Sequence, residues 1–123
     1  MQKEPTILIV EDDEASYLYL ESVLRKTTAR VIVARNGLQA LEDCQAHKIN
    51  VVLMDLKMPG MDGFEATRRM KALYPDLPII AITAYAMSGD DKRALDAGCD
   101  YYLAKPLKKE LLFNKLELCG ITL

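Results

Sequence analysis

Ile49-Asn50-Val51-Val52-Leu53-Met54-Asp55-Leu56-Lys57-Met58-Pro59-Gly60 is the stretch whose reading decides the fold. Val51 to Met54 is a short apolar run without polar alternation, the pattern of a strand buried on both faces. It ends on a carboxylate, Asp55, and a Pro-Gly turn signal follows. Four further runs read the same way, at 6–10, 31–34, 79–82 and 101–104. Helical patterns lie between and after them, at 15–26, 38–47, 64–73, 92–97 and 110–118, the first with Leu18, Val23 and Leu24 on helical spacing. Strands separated by helical stretches of this length are joined by crossovers, so the sheet is parallel with helices on both faces. The expected fold is a doubly wound α/β domain. In that architecture ligands gather outside the carboxyl ends of the strands. Glu11, Asp12, Asp55, Thr83 and Lys105 each stand at such an end.

Local signals support the boundaries. Gly37 and Asp62-Gly63 punctuate helix starts, Ser88 with Asp91 resembles a capping box, Gly98 reads as a stop, and Pro75 and Pro78 bracket the turn into the fourth strand. The chain has 123 residues, half of them hydrophobic, which suits one domain with one buried core. Sixteen basic and eighteen acidic residues leave a net charge of -2, without the basic footprint that direct nucleic-acid binding needs. Cys44, Cys99 and Cys119 form no C-x-x-C pair, so neither a disulfide framework nor a zinc site is indicated, and a reducing cytosol fits. The polar opening is unlike a signal peptide, and no apolar stretch approaches the roughly 18 residues of a membrane span. A cytoplasmic protein without membrane contact is expected.

Glu11, Asp12, Asp13 and Glu14 occupy the first strand-to-helix loop, where a phosphate-binding fold would place glycines. Four acids repel a free phosphate but suit a hard divalent cation such as Mg2+. For Asp13 and Glu14 the preferred reading is complementarity to a helix dipole; for Glu11 and Asp12, which continue the strand, it is metal binding. Crowded carboxylates repel, so without a cation at least one should have a raised pKa. With a cation present, Asp55 can stay ionised and attack phosphorus to give an aspartyl phosphate. Lys105 would then meet phosphoryl oxygens and Thr83 would donate a hydroxyl, although either residue alone is ordinary at a strand end. Met54, Met58 and Met61 are read as packing, and His47 as a solvated side chain.

Four segments together resemble the receiver domain of two-component response regulators: Ile-Leu-Ile-Val-Glu-Asp-Asp at 7–13, Leu-Met-Asp-Leu-Lys-Met-Pro-Gly-Met-Asp-Gly at 53–63, Ile-Ile-Ala-Ile-Thr-Ala at 79–84 and Ala-Gly-Cys-Asp-Tyr-Tyr-Leu-Ala-Lys-Pro at 97–106. The resemblance implies a flavodoxin-like (βα)5 sandwich with strand order 2-1-3-4-5, filling residues 1–123 as a single receiver domain with a core of about 5–119. It implies that Asp55 is the phosphoacceptor, charged by a sensor histidine kinase or histidine phosphotransfer protein. Asp12, Asp55 and the Lys57 backbone carbonyl would bind Mg2+, and Glu11, where aspartate is frequent, would act mainly through water. Thr83 would be the switch hydroxyl, Tyr102 rather than Tyr101 the switch aromatic, and Lys105 the phosphate-pairing lysine, its bond to Pro106 cis. The expected product is a signalling switch, not an enzyme for external substrates, that assists its own phosphorylation and dephosphorylation. It would work through the face of the fourth helix, fifth strand and fifth helix, as a monomer or weak homodimer through that face.

Thr83-Ala84-Tyr85-Ala86-Met87 with the later Tyr-Leu-Ala-Lys-Pro is most similar to receivers attached to hybrid sensor histidine kinases. Tyr85 and Lys57 occupy positions that in this family influence phosphate lifetime. No output domain follows the fifth helical stretch, so the chain reads either as a stand-alone receiver or as a receiver cut from a longer protein. Two other classes compete. An aspartyl-phosphate phosphatase would want an acid two residues after the nucleophile, where this chain has Lys57; a flavodoxin-like nucleotide-binding protein would want a phosphate loop where Glu11–Glu14 stand.

Overall fold

The structure is a computed structural model that describes residues 4–57, 62–84 and 89–123, with Asp90 by its backbone alone. Five strands alternate with five helices: β1 (Thr6–Val10), α1 (Glu14–Leu24), β2 (Arg30–Ala34), α2 (Gly37–Ala46), β3 (Val51–Asp55), α3 (Gly63–Leu73), β4 (Ile79–Thr83), α4 (Asp90–Ala97), β5 (Tyr101–Ala104) and α5 (Lys109–Leu118). All pairings are parallel and the strand order is β2-β1-β3-β4-β5, the expected doubly wound sheet. β1, β3 and β4 are buried throughout, which is why their sequences lack polar alternation.

Side chains still alternate between two cores. Leu8, Val10, Val52, Met54, Ile79 and Ala81 pack against Ala40 and Cys44 of α2, Phe64 and Met70 of α3, and Ala94 of α4. Ile7, Ile9, Val51, Leu53, Ile80 and Ile82 pack on the other face against Leu20 and Leu24 of α1 and Leu112 and Leu116 of α5. Tyr102 joins the first core and Tyr101 the second, so the two tyrosines occupy opposite faces.

Helix starts are set by short polar side chains. Asp13 accepts from Ser16 N, Asn36 from Gln39 N and Asp62 from Glu65 N. α4 departs from the expected capping box: its N-cap is Gly89 in the left-handed conformation, with no side-chain cap. That start puts residue 88 one position too early to pair with Asp91, and Ser88 itself lies outside the described residues. Gly98 closes the same helix with φ 114°, a conformation that favours glycine. Leu18 is also displaced from its expected role, being 47% exposed while Leu20, Val23 and Leu24 are buried. Two residues along a helix correspond to about 200° of rotation, so the stripe that buries Leu20 turns Leu18 outward. His47 is exposed at the end of α2. Among the described residues no helix is long and apolar enough to cross a membrane.

Leu53 is fully buried at the centre of the sheet, so Leu53→Ala should cost about 2–5 kcal/mol in urea unfolding. Leu18→Ser should stay within about 0.5 kcal/mol of the parent; a larger loss for Leu18→Ser would place that side chain in the core.

Candidate functional site

β1 and β3 run side by side with Val10 opposite Met54, which brings the residues beyond both strands to one rim. The ligand oxygens of Glu11, Asp12 and Asp55 all lie within 4.8 Å of one another. Glu11 is 2% exposed and Asp55 5%, so two of the three carboxylates are almost out of solvent. The sheet fixes their backbones: Glu11 N donates to Ala34 O at 3.0 Å, and Leu56 N to Ile82 O at 3.1 Å. Lys57 N donates to Asp55 Oδ1 at 3.2 Å, one donor offered to the buried carboxylate.

Lys105 arrives from β5. Its backbone N donates to Thr83 O at 2.8 Å, and its ammonium donates to Glu11 Oε1 at 2.8 Å. The sequence directed this lysine toward a phosphate; in the structure its ammonium rests on Glu11. The Lys105–Pro106 bond is cis, as the resemblance implied. Glu11 Oε2 accepts from Asp13 N at 3.4 Å, so Glu11 is held at both oxygens.

These residues enclose a cavity of about 230 Å3 lined by Glu11, Asp12, Asp13, Ser16, Asp55, Lys57, Ala84 and Lys105. Thr83 is fully buried and does not line it; Ala84, the next residue, does. Thr83 follows Ile79 and Ala81 in strand alternation and so points to the face that carries Tyr102. Thr83 pairs with Ala104 and Tyr102 with Ala81, which makes Thr83 and Tyr102 diagonal neighbours on adjacent strands. Ala81 stands opposite Tyr102 on the neighbouring strand. Met58, Met61 and Tyr85 lie outside the described residues.

Electrostatics matches the crowding. Burial, then the hydrogen bond and negative charge of Glu11, push Asp55 up to about 8, against the lesser opposing effects of Lys57 N–H and Lys105. Burial works against the Lys105 ammonium, but the hydrogen bond to Glu11 and the charges of Asp55, Glu11 and Asp13 hold it above the ordinary lysine value. Ser16 accounts for the opposite behaviour of Asp13, whose carboxylate it hydrogen-bonds and holds below the usual range. The thiols take no part: burial pushes Cys44, Cys99 and Cys119 each up to about 11. Three carboxylates with no thiol or imidazole among them form a hard oxygen donor set, which fits a divalent cation of the Mg2+ kind.

A second cavity, of about 440 Å3, adjoins the first and shares Glu11, Ser16 and Lys105 with it. Ala15, Tyr19 and Leu20 of α1 form one wall; Pro106 and Leu107 form the other. Tyr19 hydroxyl reaches across to Leu107 O at 3.4 Å. Sequence patterning did not find this groove, because it is made by two segments 88 residues apart that each look like ordinary surface.

The profile of the response regulator receiver domain matches residues 7–117. The sensor protein GacS of Pseudomonas syringae pv. syringae is 36% identical over 98% of this chain, which spans 14% of that protein. The polar-differentiation response regulator DivK of Brucella anthropi is 35% identical over 83% of this chain and 85% of its own. Among solved structures, the receiver domain of sensor histidine kinase PA1611 from Pseudomonas aeruginosa PAO1 superposes with a TM-score of 0.87 at 36% identity, covering 96% of this chain and 99% of that one; it holds a magnesium ion in its active-site cleft. The chain belongs to the response regulator receiver domain family of two-component systems.

In the cation-free protein the Asp55 carboxyl keeps its proton well above the usual carboxylate value of 3.8, up to about 8. The unfolded chain has already lost that proton, so the folded state binds more protons between those values and stability falls as pH rises through the window. Thermal unfolding without Mg2+ should therefore give a Tm that declines from about pH 4 to about pH 8. Asp55→Asn should flatten that decline, and an equally steep profile in the variant would assign the shifted proton elsewhere.

Proposed function

We propose that Asp55 is the phosphoacceptor of a two-component phosphorelay and that its phosphorylation is Mg2+-dependent. The observation that carries this reading is a nearly buried carboxylate within 4.8 Å of two others, with an ammonium 2.8 Å from one of them. The Asp55 carboxylate attacks the phosphorus of a partner's phosphohistidine; an O–P bond forms, the P–N bond breaks, and its electron pair returns to the imidazole. Asp12, Asp55 and the Lys57 carbonyl would hold Mg2+, with Glu11 acting mainly through water. Bound there, the cation offsets the charge on acceptor and phosphoryl oxygens. Lys105 leaves Glu11 for a phosphoryl oxygen, an exchange of one anionic partner for another.

The new group adds about -1.5 to -2 charges at the rim. Thr83 then turns its hydroxyl toward the phosphoryl group, and Tyr102, its diagonal neighbour, follows into the space this opens. The affected surface is α4-β5-α5, where Leu95 and Leu111 are 55% and 51% exposed and Lys115 lies 5.6 Å from the Tyr101 ring centroid. Output partners, or a second copy of the chain, would bind this face. The donor's histidine-bearing helix would lie in the groove between α1 and the segment after β5, since that groove opens directly on the catalytic cavity and offers Tyr19 and Leu107 as apolar contacts. Lys57 in place of an acid supports a held signal over turnover of external substrates. The protein would assist its own phosphorylation and dephosphorylation in the cytoplasm.

Asp55→Asn should abolish Mg2+-dependent labelling by a small phosphodonor, and label retained at the parent level would refute the acceptor. Lys105→Ala should label about 100-fold more slowly, as expected when one fixed charge stabiliser is lost. A phosphotransfer profile against candidate kinases and histidine phosphotransfer proteins would identify the donor.

A further inference from the structure

Gly63 opens α3, and its closest neighbours belong to the backbone of the phosphoacceptor itself. A methyl group on residue 63 would lie 2.3 Å from the Asp55 carbonyl oxygen, 2.7 Å from Leu56 Cα and 3.0 Å from the Asp55 carbonyl carbon. Gly63 is not among the positive-φ glycines, so what glycine supplies here is clearance and not backbone freedom. Its N–H donates to Leu56 O at 3.3 Å. Two neighbours flank the same turn. Asp62 caps it through Glu65 N at 2.9 Å, and Phe64, 3% exposed, carries the Arg93 guanidinium of α4 over its ring at 4.1 Å.

We propose that Gly63 is a positioning residue for the phosphoacceptor site. By letting the first turn of α3 rest on the Asp55-Leu56 backbone, it fixes where the Asp55 carboxylate and the Lys57 carbonyl stand relative to Glu11 and Asp12. It touches neither cation nor phosphoryl group and acts through the backbone alone. The argument is one of magnitude. Ordinary carbon contacts begin at about 3.5 Å, so a Cβ at residue 63 would have to displace residues 55 and 56, or α3, by about 1 Å. A site built for Mg2+ tolerates little of this, because its ligand distances of about 2.0–2.1 Å and octahedral geometry are strict. Reactive constellations in general need positioning to within about 0.5 Å.

The inference rests on the reading of Asp55 as acceptor, and the test separates the two. Mg2+ affinity of the full chain would be followed by amide NMR shifts, and labelling by a small phosphodonor measured beside it, for the parent, D55N, G63A and F64L. G63A should bind Mg2+ about 10- to 100-fold more weakly, the range seen when groups that orient metal ligands are lost. Its labelling should slow in step. F64L loosens the packing of the same turn without intruding on Asp55, and should keep the parent's Mg2+ affinity. Unchanged affinity in G63A, or equal losses in G63A and F64L, would overturn the proposal. Should G63A fail to fold, the parent decides: the Gly63 amide should shift with those of Asp55 and Lys57 at one Mg2+ midpoint, and a Gly63 amide that stays fixed would overturn it. A parent that takes no label would instead sink the phosphoacceptor reading itself.

Discussion

The mutual repulsion of Glu11, Asp12 and Asp55 at the carboxyl edge of a buried sheet is the constraint on which the rest of the site depends. Like charges separated by about 4.5 Å repel by about 4 kcal/mol at an effective dielectric of 20. Burial removes the water that would screen them. The protein answers in two ways: Asp55 holds its proton up to about 8, and Lys105 gives its charge to Glu11. Both answers are reversible. In the proposed function a divalent cation replaces the proton and an incoming phosphoryl group draws the lysine away, an exchange of ligands for which reversible answers are suited. A folded state that pays a standing electrostatic penalty needs a strong scaffold, and the fully buried β1, β3 and β4 supply it.

The same sheet joins the rim to both of its faces. Asp55 lies in the alternation of Val51 and Leu53, whose core is shared with α1 and α5, whereas Thr83 and Tyr102 belong to the alternation whose core is shared with α2, α3 and α4. The two faces meet at the rim, where Leu56 N and Ile82 O join β3 to β4 and Lys105 N and Thr83 O join β5 to β4. Backbone hydrogen bonds link the acceptor, the hydroxyl and the lysine in series.

Fold and acidic cluster were legible in the sequence because both follow from runs. Unalternated Val-Ile stretches announce strands buried on both faces, and strand ends announce the rim. The Glu11-Lys105 pair was not legible, since the sequence shows that two residues share a rim but not which partner a flexible lysine takes when its ligand is absent. The exposure of Leu18 was missed because apolar spacing alone does not say which of Leu18 and Leu20 faces inward; Val23 and Leu24 settle it only once the helix is docked. The start of α4 was misread because a serine and an aspartate at capping spacing compete with a glycine that can take the left-handed conformation.

Gly63 illustrates a different kind of illegibility. In sequence it reads as a helix-start glycine after an aspartate, a local feature of α3. In the fold its lack of a side chain belongs to β3, because the carbonyl of Asp55 occupies the space where a Cβ would stand. A glycine at a contact too close for any other side chain serves the placement of a neighbouring backbone. Here that backbone carries Asp55, the one carboxylate that β3 contributes to the rim, and α4 reaches the same turn through Arg93 on Phe64. The first turn of α3 thus touches both β3, at Asp55 and Leu56, and α4, through Arg93 on Phe64, a physical contact between the two that does not pass through Thr83 or Tyr102.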